Sequence, residues 1–136
     1  MFRHRIWIIA VVGLFLVSGA LIGVISSEST SRFERMMQAK ALESRGDIRD
    51  LAAALARFHS DVGRYPTHTE GLNALVAAPP NAVGWRGPYV RRGLLTDPWG
   101  HPYLYRSPGK HNAFSFDVFS MGGDGTVGGG DDFGNW

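Results

Sequence analysis

The apolar pattern opens with one uninterrupted run: no charged side chain occurs between Ile6 and Ile25. As a helix rising about 1.5 Å per residue, that run reaches roughly 30 Å, the thickness of a bilayer's hydrocarbon core. It reads as a transmembrane anchor, and Arg3, His4 and Arg5 ahead of it suit a cytoplasmic N-terminus. A cleaved secretory signal is the competing reading, because Ser18-Gly19-Ala20 and Val24-Ile25-Ser26 place small residues where a signal peptidase cuts. The apolar run continues past Ala20, which favours a retained anchor.

Beyond the run the pattern turns amphipathic. Phe33, Met37, Ala41, Ile48, Leu51, Leu55, Phe58 and Val62 recur at spacings of three, four or seven, which places them on one stripe of a helix. No proline occurs before Pro66, and Gly46 is the only glycine between Gly23 and Gly63. One helix is therefore expected from about Ile6 to His59, half in lipid and half carrying a domain on its apolar stripe. The expected organisation is a cytoplasmic stub and anchor over residues 1–27, then a globular domain over residues 28–136 that includes the C-terminal half of the long helix.

After the helix the punctuation changes. Gly63 can terminate it, and Tyr65-Pro66 forces an extended step. A second, shorter helix fits Thr69 to Ala78, capped by Thr67 or Thr69 and stopped by Pro79-Pro80, and residues 81–93 read as loop. Asp97-Pro98-Trp99-Gly100 has the composition of a type I turn. Two short strands are expected at about Tyr103 to Arg106 and Ser115 to Ser120, joined through Ser107-Pro108-Gly109. The fold class is α+β.

Charge and composition then remove whole classes of function. The 14 basic and 12 acidic residues are scattered and leave a net charge of +2, so no nucleic-acid footprint is present. Zero cysteines exclude disulfides and thiolate metal sites, which leaves packing or a hard-cation site to hold a small domain. The five histidines show no His-Glu-x-x-His spacing, and Ser107 and Ser120 lie in no nucleophile-elbow motif, so no catalysis is expected.

The last stretch, Met121 to Trp136, is rich in glycine and carries the carboxylates of Asp124, Asp131 and Asp132. Glycines lose much backbone entropy on ordering, and carboxylates held close together repel unless a cation sits between them. Calcium answers both, since it takes six to eight oxygens from carboxylates and backbone carbonyls in flexible geometry. A frayed, solvated tail is the alternative, against which Phe133 and Trp136 are expected to pack onto the domain. The spacing is neither that of an EF-hand nor that of a repeated nonapeptide.

Several ordered motifs together resemble the major pseudopilins of type II secretion, the general secretion protein G family. They are Asp61-Val62-Gly63-Arg64-Tyr65-Pro66-Thr67, Glu70-Gly71-Leu72-Asn73-Ala74-Leu75-Val76 and Asp97-Pro98-Trp99-Gly100-His101-Pro102-Tyr103, followed by Tyr105-Arg106-Ser107-Pro108-Gly109, Phe116-Asp117-Val118-Phe119-Ser120 and Gly134-Asn135-Trp136. The resemblance implies a pilin-like fold, a long N-terminal helix packed on a small antiparallel sheet, with a calcium ion (Ca2+) in the last loop. It implies ligands at Asp124, Asp131 and Asp132, with carbonyls from Met121 and Gly129. It implies a single-pass inner-membrane subunit whose C-terminal domain lies in the periplasm, with other pseudopilins and an inner-membrane platform as partners in a filament. The family carries a basic leader ending in Gly and a Glu five residues into the mature helix; in this sequence no Gly precedes the apolar run and Ile6 to Ile25 contains no Glu, so processing in the family's manner is not expected. The contrasting expectation is a membrane-tethered, calcium-dependent binding module that does not polymerise, using Trp85, Tyr89 and the Gly84 to Gly93 loop as its recognition surface.

Overall fold

The computed structural model describes residues 3–136, with side chains from residue 28 onward. The expected anchor, Ile6 to Ile25, lies outside the residues whose side chains are described; among the described residues no helix is long and apolar enough to cross a membrane. The first element, α1, is a 60-residue α-helix, Arg3–Val62. By contacts the chain divides into two units, Met1–Gln38 and Ala39–Trp136. In the first, Ser31 Oγ donates to the Glu28 carbonyl at 2.9 Å and Arg35 Nε donates to the Ser31 carbonyl at 3.0 Å, both local helix contacts. Phe33 is 58% exposed, so the N-terminal end of the predicted apolar stripe enters no core.

In the second unit the stripe does what its spacing predicts. Ile48, Leu51, Leu55 and Phe58 are buried and share one core with Leu72, Leu75, Tyr103, Tyr105, Phe116 and Val118. Burial of side chains this size stabilises by about 1.5–3 kcal/mol each. Ala54 is fully buried, which lets the neighbouring elements approach the helix backbone. Gly63 ends α1 as expected: it takes a left-handed φ of +81° and donates its N–H to the His59 carbonyl at 2.8 Å.

The chain then turns on a capping box. Glu70 Oε2 accepts from the Thr67 amide at 2.7 Å, while the Glu70 amide donates to Thr67 Oγ1 at 3.2 Å. Arg64 clamps the same carboxylate through both of its terminal nitrogens, at 2.7 and 2.8 Å. That hydrogen-bonded clamp holds the Glu70 carboxyl down at about 2. The next element is a 3₁₀ helix, Gly71–Leu75, shorter than the Thr69 to Ala78 helix expected from sequence. Gly71 has a φ of +58°, outside right-handed helical space, and the Val76 amide closes back on the Asn73 carbonyl at 3.0 Å. A further 3₁₀ turn, Arg92–Leu95, lies in and just beyond the stretch expected to be loop.

Three antiparallel strands complete the domain: β1, Leu104–Arg106; β2, Asp117–Ser120; and β3, Phe133–Gly134, in the order β1-β2-β3. Tyr105 pairs with Val118 across the first ladder and Ser120 with Phe133 across the second. β1 and β2 fall inside the predicted strands, whereas β3 has no counterpart among them. The Asp97-Pro98-Trp99-Gly100 turn forms, with the Gly100 amide donating to the Asp97 carbonyl at 3.0 Å. The Tyr105 hydroxyl donates to the Pro66 carbonyl at 2.8 Å, and burial pushes its phenol up to about 12.

Trp85 and Tyr89 are half-buried and take part in packing. Trp85 Nε1 donates to the Ala74 carbonyl and the Tyr89 hydroxyl to Asp61, each at 2.8 Å, and both rings pack against the core.

Candidate metal centre in the terminal loop

The loop between β2 and β3 carries every predicted ligand. Its entrance is set by Asp97, a buried carboxylate whose sequence context marks only a turn. Asp97 Oδ1 accepts from the amides of Trp99 and His101, at 3.0 and 2.8 Å. Its Oδ2 accepts from Ser120 Oγ at 2.6 Å, and Ser120 Oγ in turn accepts from the Gly122 amide at 3.0 Å. The turn residues and the first glycine of the loop are thus one hydrogen-bonded unit.

The exit is held by Asn135, a role that no sequence signal marks. Its side-chain oxygen accepts from the Val118 amide at 3.0 Å, its Nδ2 donates to the Phe116 carbonyl at 3.1 Å, and its own amide donates to the Val118 carbonyl at 3.2 Å. Two bonds to Val118 of β2 and one to Phe116 just before it carry the pairing one residue beyond the third strand. Aromatic contacts close around the same end. Trp99 stacks on Phe133 with ring centres 5.8 Å apart, Trp136 stacks on His111 at 3.9 Å, and the Arg45 guanidinium lies 5.1 Å from the Phe133 ring centre. Trp136 therefore packs as expected, although half its surface remains exposed. The frayed-tail alternative does not describe this segment.

Between these ends the carboxylates fold inward on the backbone. Asp131 Oδ2 accepts from the amides of Gly123 and Asp124, at 2.7 and 3.3 Å. Asp124 Oδ1 accepts from the Thr126 amide at 2.7 Å, and Asp132 Oδ2 from the Gly128 amide at 2.7 Å. The glycines leave room for these side chains: a Cβ on Gly129 would run into the Asp124 carboxylate, and one on Gly122 into the carbonyl and carboxylate of Asp131. Asp124 is thereby placed beside Gly129, and Met121 follows β2 at the mouth of the loop.

The remaining oxygens of Asp131 and Asp132, Oδ1 in each case, are buried without a hydrogen-bond partner. A buried carboxylate oxygen with neither donor nor cation is costly, so two on adjacent residues of one loop fit a hard-cation site. Among the described residues, no three acidic or histidine side chains form a group able to hold a metal by themselves. What is present is a set of scattered carboxylates in a glycine-rich loop, a composition that calcium, with its flexible coordination, accepts.

Comparison with known proteins agrees with the fold and the motifs. A family profile described as "Type II secretion system (T2SS), protein G" matches residues 32–136. The type II secretion system core protein G of Pseudomonas aeruginosa is 36% identical, over 95% of this chain and 92% of its own length. That of Aeromonas hydrophila is 38% identical, over 95% of this chain and 89% of its own. Among solved structures, the major pseudopilin from the type 2 secretion system of enterohaemorrhagic Escherichia coli superposes with a TM-score of 0.66 at 36% identity, covering 76% of this chain and 92% of that one. The family is one of structural pseudopilins and not of enzymes, in keeping with the absence of any catalytic motif from the sequence. The long helix, the three-stranded sheet and these matches lead to one conclusion: the chain belongs to the type II secretion system protein G family.

Proposed function

We propose that the chain is an inner-membrane subunit, anchored through Ile6 to Ile25, whose periplasmic domain polymerises with other pseudopilin subunits into a pseudopilus. In this reading calcium, held by Asp124, Asp131 and Asp132 with the carbonyls of Met121 and Gly129, stabilises the domain. Bound calcium supplies positive charge to the loop. The chain's own residues do the rest: Asp97, Ser120 and Asn135 fix the two ends of the loop, and the amides of Gly123, Thr126 and Gly128 aim one oxygen of each aspartate.

The observation that supports the calcium reading best is the pair of orphaned oxygens on Asp131 and Asp132, since a buried carboxylate oxygen without a donor is what a cation would satisfy. Supporting the anchored-subunit reading, a single helix runs from the apolar segment into the domain core.

The test uses the full chain in membranes. Chemical cross-linking is expected to give a ladder of multimers. In detergent, calcium at a hundredfold excess over its Kd is expected to stabilise the domain by about 2.7 kcal/mol. A melting temperature indifferent to both calcium and chelator would sink the metal assignment. A chain that is monomeric in the membrane, yet captures a partner only with calcium, would replace the subunit reading by the tethered binding module.

A further inference from the structure

The charges on α1 within the second unit are sorted by side. Arg45 and Arg49, one turn apart, border an open groove with Leu42 and Ala52 that runs along β3 to Asn135. Among the described residues neither guanidinium has a carboxylate partner; Arg45 makes only its ring contact with Phe133. Leu42 is 69% exposed and gives the groove an apolar rim. Spacings of three, four and three from Leu42 through Arg45 and Arg49 to Ala52 keep all four on one side of the helix.

The other side of the same two turns is acidic. Glu43, Asp47 and Asp50 follow at spacings of four and three. Asp50 borders a separate groove with Ala53, Arg57, Tyr89, Val90 and Leu94. Asp47 accepts from the Tyr103 hydroxyl at 3.0 Å; Glu43 and Asp50 are exposed and, among the described residues, bonded to no side chain. Arg57, the cation nearest along that flank, is engaged with the Tyr89 carbonyl at 3.0 Å, and Arg91 and Arg92 lie beyond Val90. The stretch from Glu43 to Asp50 therefore carries carboxylates on one flank and guanidiniums on the other, with the buried stripe of Ser44, Ile48 and Leu51 between them.

A surface that is basic on one flank and acidic on the other complements a second copy of itself side by side. Such a contact is heterologous: it does not exhaust itself in a dimer but repeats into a ring or a filament. We infer that the Arg45/Arg49 groove of one copy receives the Glu43/Asp47/Asp50 flank of the next, with Leu42 packing against the half-buried Val90 and Leu94 beside it. This rests on the subunit reading above and names the surface through which subunits meet. The apolar rim supplies contact area, and the opposed charges fix orientation and suppress alternative registers.

Complementary charge reversal in the full, membrane-borne chain tests it. Arg45→Glu with Arg49→Glu sets acid against acid, and Glu43→Lys with Asp50→Lys sets base against base. Each double variant expressed alone is expected to lose cross-linked multimers by about tenfold; the melting temperature is expected to stay unchanged in Glu43→Lys with Asp50→Lys, whose residues are exposed, and to fall slightly in Arg45→Glu with Arg49→Glu, which also removes the Arg45 contact with Phe133. Arg49→Glu alone, which leaves the Arg45 contact with Phe133 intact, is expected to show the same loss in smaller degree. Co-expression of the two double variants is expected to restore multimers, because each reversed flank then faces its complement and the copies alternate. Multimers that persist in each variant alone, or that fail to return in the mixture, would overturn the inference while leaving the subunit reading in place. Absence of multimers from the unsubstituted chain would overturn both.

Discussion

Two loops of this domain are each organised by carboxylates that accept from backbone amides, and they differ in how completely those carboxylates are satisfied. In the loop between β1 and β2, Asp117 Oδ2 accepts from Lys110 and His111, and Oδ1 from the amide and side chain of Asn112, at 2.6 to 3.1 Å. Every lone-pair direction has a donor, and although burial opposes ionisation, those amide bonds outweigh it and hold the carboxyl below its usual range. In the loop between β2 and β3, Asp131 and Asp132 each use one oxygen in the same way and leave the other buried and empty-handed. The first loop is finished by its own chain. In the second the protein itself supplies no donor to one oxygen of each aspartate, and that difference in completeness is what supports the proposed metal ion.

Removing the finished carboxylate should therefore cost most. Asp117→Ala strands three backbone amides in one loop and is expected to destabilise the domain by about 3 kcal/mol, with calcium or without it. Calorimetry showing that calcium rescues this variant would erase the contrast between the loops. Asp132→Asn should behave in the opposite way: it keeps the side chain's shape and is expected to abolish the calcium-dependent gain of roughly 2–3 kcal/mol, while the chelator-treated variant melts near the unsubstituted protein. A calcium response that survives Asp132→Asn removes that residue from the site. The smallest effect belongs to neither loop and serves as the control. Glu70 has its pKa lowered from 4.5 to about 2, so its contribution is present above 4.5 and is lost as the pH falls towards 2. Arg64 is 37% exposed, which limits the contribution to below about 1 kcal/mol. Glu70→Gln should make the loss of stability between pH 4.5 and 2 less steep, leaving the part that belongs to Asp117, without touching the calcium response, as a melting series across that window would show.

Much of the fold is legible in the residues, for local reasons. The spacing of Ile48, Leu51, Leu55 and Phe58 marks the core face, Gly63 marks the end of the helix, and Asp97 to Gly100 mark a turn; each signal lies in adjacent residues and each feature forms. The features that stay hidden depend on partners far along the chain. β3 is two residues long, within a glycine-rich stretch that shows no alternation, and it exists because Asn135 supplies ladder-like bonds to Val118. The 3₁₀ form of Gly71–Leu75 reflects the Arg64 clamp on Glu70 and the left-handed Gly71, which helix propensity does not register. Carboxylates at Asp124, Asp131 and Asp132 can be picked out by residue type, but the sequence offers no sign that Asp97 and Asn135, which lie outside that loop, hold its two ends.

The pairing of Ser120 with Phe133 has an implication for how this region can vary. Because the chain leaves the sheet and re-enters it at fixed neighbouring positions, the segment between them behaves as a removable cassette. Its length can change by several residues at a closure cost that grows only with the logarithm of its size, about 0.6 kcal/mol per doubling, and the strand register stays put. The chemistry that the loop presents can thus be exchanged by swapping that cassette without disturbing the helix face on which the rest of the domain is built.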